Sequence, residues 1–170
     1  PVLFVAGNHE YTAGRYMGYD SSDFYTYPMQ DMVGELSGDT DPEVIEGENA
    51  FYEWTNDELY KVLAAYSYNI GGFDFVVLNT GIHCYDSENG TGSYSDYIYS
   101  DASVEWVKNK LAEIYADNND KTVFFLAHVP FNDSNSIRAG KGLDMSDSAT
   151  ILLKETLSQY PNLVYLYGHD

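Results

Sequence analysis

Apolar and polar positions change rhythm several times along the chain. Tyr66 to Leu78 reads Tyr-Ser-Tyr-Asn-Ile, then Gly71-Gly72, then Phe-Asp-Phe-Val-Val-Leu. Two strand-like segments joined by a glycine pair predict a tight β-hairpin. Val104, Val107, Leu111 and Ile114 recur at helical spacing, with Asp101 or Ser103 placed to cap the helix and Asn118-Asn119 to end it. Trp106 inside this segment is read as packing. Thr122 to Ala127 and Leu163 to Tyr167 are short continuous apolar runs expected to form buried strands, with an amphipathic helix from about Ser146 to Tyr160 between them. Pro161 ends that helix because its ring cannot continue the hydrogen-bond ladder. Strand, helix, strand predicts a parallel crossover, and the order of elements predicts an α/β sandwich with a mixed sheet.

The N-terminal third is less regular. Pro1-Val2-Leu3-Phe4-Val5 reads as a strand already in progress, and residues 11–50 are rich in Tyr, Asp and Gly with little periodicity. Residues 11–56 are read as a long loop or helical excursion with one short helix around Asp23 to Leu36, next to Pro28. A loop of this size shapes a binding site or covers one. With no internal repeat and no low-complexity tract, residues 1–170 are taken as a single domain.

Composition narrows the partners. At 170 residues and 44% hydrophobic the chain can bury one core, and no apolar run approaches the roughly 20 residues needed to cross a bilayer. Acidic residues number 27 against 8 basic, a net charge of -19. Such a field repels polyanions, so nucleic acid is disfavoured as a partner while a small or exposed phosphate ester remains compatible. The single cysteine, Cys84, excludes an intrachain disulfide framework and a Cys-rich zinc module. The two Asn-x-Ser/Thr triplets, at Asn89 and Asn132, would matter only in a eukaryotic secretory setting, so localisation is left open.

Candidate chemistry comes from the histidines. His9 follows the strand-like Val2 to Ala6, His128 follows Val123 to Ala127, and His169 follows Leu163 to Tyr167. The C-terminal edge of an open α/β sheet is where ligands bind, because parallel strands deliver their ends side by side. Gly7 and Gly168 would let the backbone turn and approach a ligand closely, and Pro130 would stiffen the third turn. Any one of these histidines could be an ordinary buried side chain. Three at matching strand ends point to a shared site, and imidazole with amide or carboxylate oxygens suits Zn, Fe or Mn better than Ca or Mg.

Gly7-Asn8-His9-Glu10, His128 after an apolar strand, Gly168-His169-Asp170, and the hairpin ending in Val77-Leu78-Asn79-Thr80 resemble, in order and context, motifs of the calcineurin-like metallophosphoesterases. The resemblance runs from the first strand to the last residue and is weakest over residues 11–56. It implies a layered sandwich of mixed sheets flanked by helices. It also implies metal-dependent hydrolysis of phosphate esters by a metal-bound hydroxide held between two metals about 3.5 to 4 Å apart. On this reading Asn8, His128 and His169 ligate one metal (Zn, Mn or Fe). His9 is not a ligand but contacts the phosphate and stabilises or protonates the leaving group. Glu10 either orients His9 or neighbouring backbone, or simply faces solvent.

The chain also departs from the family pattern. The Asp-x-His and Gly-Asp-x-x-Asp motifs that precede Gly-Asn-His-Glu in the family are not found, and the last motif, ordinarily Gly-His-x-His, stops at Asp170. Gly38-Asp39-Thr40-Asp41 is no replacement, since no strand delivers it, and His83 and Cys84 are read as packing or surface. The expectation is a domain incomplete on its N-terminal side, holding at most one metal weakly and with little or no turnover in the 170-residue form while the parent protein is active. An apolar edge around Val2 to Val5 is expected to favour self-association. A different reading takes the chain as a non-catalytic binding module, whose acidic surface with 17 Tyr recognises a partner around a relic metal site.

Overall fold

The computed structural model describes residues 3, 5, 47–54, 61–79, 99–131, 142–143 and 145–168. A 3-10 turn (Gly47–Asn49) leads into strands β1 (Ala50–Trp54), β2 (Lys61–Ile70) and β3 (Phe73–Leu78), followed by helix α1 (Asp101–Tyr115), strand β4 (Val123–Ala127), helix α2 (Ser148–Ser158) and strand β5 (Leu163–Leu166). These strands form one sheet in sequence order. The β1–β2 and β2–β3 pairs are antiparallel, and the β3–β4 and β4–β5 pairs are parallel. The expected α/β architecture with a mixed sheet is what forms.

The β2–β3 turn is the hairpin that the glycine pair predicts. Gly71 and Gly72 have φ of 61° and 89°, the left-handed backbone that a two-residue turn of this kind requires and that glycine adopts without steric cost. One strand was not anticipated. Residues 50–54, assigned to the excursion of residues 11–56, form β1 on the edge of the hairpin. Ala-Phe-Tyr-Glu-Trp is too short to display a period by itself, and it becomes a strand by pairing with β2. A bulge aids that pairing: Phe51 stands opposite Ala65 and Tyr52 opposite Leu63, leaving Ala64 as the extra residue. The bulge moves Leu63 to the same face as Tyr66 and Val77, where all three are buried in one cluster.

Both helices share one core with the other face, which includes Val76, Leu78, Val123, Phe125, Val104, Leu111, Leu153 and Leu157. Helix α1 is capped by Ser100 rather than by Asp101 or Ser103: the Ser100 Oγ accepts from the Ser103 amide at 2.9 Å and donates to Glu53 in β1. Asp147 caps α2, accepting from the Thr150 amide at 2.8 Å. No described helix is long and apolar enough to cross a membrane.

β5 departs from its expected character. It alternates half-buried Leu163 and Tyr165 with exposed Val164 and Leu166, because it pairs only with β4 among the described strands and one of its faces is not covered by the helices. Leu3 and Val5, from the segment expected to leave an apolar edge, are half-buried against the Leu63, Tyr66 and Val77 cluster. The short helix expected around Asp23 to Leu36 lies outside the described residues.

Candidate metal centre

The parallel half of the sheet sets the site. Residues of β4 and β5 pair with a constant offset, Val123 with Leu163 through Leu126 with Leu166. Just past the strands, one residue beyond β4 and two beyond β5, the Gly168 amide donates to the His128 carbonyl at 3.0 Å. The turns after the two strands therefore leave the sheet side by side. His128 is half-buried, and a Cβ built on Gly168 would stand 3.6 Å from its Nδ1, ordinary van der Waals contact. The closeness of Gly168 to His128 is thus not what demands glycine there.

Each carbonyl of the His128 turn accepts from a different donor. That of His128 accepts from Gly168, that of Val129 accepts from the Tyr165 hydroxyl at 2.6 Å, and that of Pro130 accepts from the Leu143 amide at 2.8 Å. The Tyr165 ring lies 5.4 Å from Phe125, 5.6 Å from Phe131 and 5.2 Å from Tyr167. Burial first, and then the neighbouring Tyr167, push the Tyr165 phenol well above the ordinary tyrosine range, so near neutral pH it is a hydrogen-bond donor.

On the next strand over, Asn79 ends β3 almost wholly buried, its side-chain amide donating to the Leu63 carbonyl at 2.9 Å and its backbone amide to the Ala64 carbonyl at 2.9 Å. These two acceptors are the bulged residue of β2 and the one before it. Asn79 thereby ties the end of β3 to the irregular part of β2, which the motif-like Val77-Leu78-Asn79-Thr80 did not foretell.

Of the residues assigned to the site, His128 is described and stands at the C-terminal end of β4. Asn8, His9 and His169 lie outside the described residues, as do Glu10, His83 and Cys84. Accordingly, no group of three His, Cys, Asp or Glu able to hold a metal occurs among the described residues. The sequence profile of the calcineurin-like phosphoesterases matches residues 1–170.

The chain belongs to the calcineurin-like phosphoesterase family. Searches of curated proteins and of solved structures returned no match. Calcineurin-like phosphoesterases hydrolyse phosphate esters with divalent metal ions. Among the described residues one donor fits such an ion: the His128 imidazole stands at the sheet edge beside the backbone of Gly168, and imidazole nitrogen is an ordinary ligand of divalent metals.

Proposed function

We propose that this calcineurin-like phosphoesterase acts on small or exposed phosphate esters, with Asn8, His128 and His169 holding one transition-metal ion (Zn, Mn or Fe). His9 contacts the phosphate and steadies or protonates the leaving oxygen, work that suits imidazole near neutral pH. A metal bound there supplies Lewis-acid polarisation of a phosphoryl oxygen and water acidic enough to attack near neutral pH. The observation that carries the reading is the Gly168-to-His128 bond, since it brings the residue before His169 against His128. The net charge of -19 favours a compact ester over a polyanion.

The ligands assigned here account for one metal rather than two. The 170-residue polypeptide is accordingly expected to take up one ion weakly and to turn over aryl phosphates slowly. Titrating Zn or Mn into the purified chain, with an aryl phosphate monoester and a diester as substrates, tests this. Metal uptake that disappears in His128→Ala, with faint chelator-sensitive turnover, is the expected result. Fast turnover would sink the single-site reading, and turnover indifferent to chelator would sink the metal-dependent one. Substrate choice rests with the loops around the site rather than with the metal chemistry.

A further inference from the structure

The turn that carries His128 is held by a side chain to which no role in the reaction has been given. Tyr165 stands opposite Phe125 in the β4–β5 pairing, yet its hydroxyl reaches the Val129 carbonyl at 2.6 Å. A straight continuation of β4 would carry Val129 roughly 13 Å past Phe125, too far for a phenol. The chain instead bends at His128 and Val129 and brings the carbonyl back over the tyrosine. The bend and the hydrogen bond accompany each other, and His128 is the residue at the bend.

We propose that Tyr165 is a positioning residue for His128: by closing the Val129 carbonyl onto β5 it fixes the bend, and hence the direction from which the imidazole is presented. Three features support this. The ring is seated between Phe125 and Phe131, so the hydroxyl has little freedom to swing away. The bonds on either side of it, Gly168 to the His128 carbonyl and Leu143 to the Pro130 carbonyl, are backbone bonds. They survive a side-chain change but lose their shared anchor. Finally, groups that hold a metal-ligating histidine from behind change metal affinity without touching the metal.

The proposal rests on His128 being a ligand, and the test separates the two ideas. Tyr165→Phe keeps the ring and removes the hydroxyl, and Tyr160→Phe, in a tyrosine stacked on Tyr115, serves as the control. In the metal-free chain, amide hydrogen exchange at Gly168 and Leu143 should quicken about tenfold in Tyr165→Phe. Exchange at Asn79, whose amide is bonded to Ala64, should change far less. Equal quickening at all three amides, or none, overturns the proposal.

Titration with Co(II) alone, followed by its visible absorption, should show affinity about tenfold weaker in Tyr165→Phe and unaltered in Tyr160→Phe. A loosened bend with unaltered Co(II) affinity also overturns it. A parent chain that takes up no Co(II) sinks the metal reading of His128, and the exchange rates then decide by themselves whether Tyr165 fixes the bend.

Discussion

The two ends of the sheet are held by different kinds of contact. At the hairpin end, Gly71-Gly72 turns the chain, Asn69 accepts from the Gly72 amide at 3.2 Å and donates to Asp74 at 2.6 Å, and Lys121 reaches Asp74 at 2.8 Å. These groups are charged or polar, and most are in contact with water. At the opposite end, Asn79 and Tyr165 donate to main-chain carbonyls, and Gly168 and Leu143 add backbone bonds across the sheet edge. Those partners are 13 to 40 residues apart, and Asn79, Val129, Pro130 and Leu143 among them are buried while Gly168 is exposed. Surface polar pairs contribute little to stability, whereas a buried carbonyl stripped of its donor is costly. The end that carries His128 is therefore the one expected to lose more when one of its bonds is removed.

The comparison can be broken at either end. The largest effect is expected from Asn79→Ala, which leaves the Leu63 carbonyl without the side-chain donor and should cost about 1–3 kcal/mol by urea denaturation. A loss under half a kcal/mol would mean that this end is not as tightly held as its bonds imply. Gly72→Ala forces a side chain into the left-handed region at φ 89° and should cost about 1–2 kcal/mol, although no atom lies within 4 Å of the added Cβ. A neutral result would show that the turn relaxes freely.

Asp74→Asn should have the smallest effect, about 0.2–1 kcal/mol near neutral pH. Burial alone would raise the Asp74 pKa, but hydrogen bonds from Lys121 and Asn69 and the Lys121 charge outweigh it and hold the carboxyl below the ordinary aspartate range. A carboxyl with a depressed folded pKa adds stability that is present above its unfolded value and lost as pH falls through the folded one. The parent should therefore lose this increment below about pH 4 and Asp74→Asn should not, as thermal melts across that range would show. An acid-side difference larger than that of Asn79→Ala would invert the ranking of the two ends.

How much of this was legible without coordinates follows the same division. The hairpin at Gly71-Gly72 arises from contacts between residues near in sequence, and α1, β4 and α2 each announce themselves by a period or an apolar run within one segment, where pattern and turn chemistry speak directly. β1 was missed because five residues in an irregular region have no period of their own and become a strand only against the bulged part of β2. β5 was read as buried because Leu-Val-Tyr-Leu-Tyr is uniformly apolar, and what lies over each face of a strand is decided by its neighbours.

At the site, the sequence determined the donor types and their position after strands, with His128 at the end of β4 as expected. Only the tertiary structure decided that the His128 and Gly168 turns are neighbours, that Tyr165 spans back to Val129, and that Asn79 is spent on the β2 bulge. Each depends on strand register and on a bend, properties of pairs of segments, and no single segment's pattern encodes them.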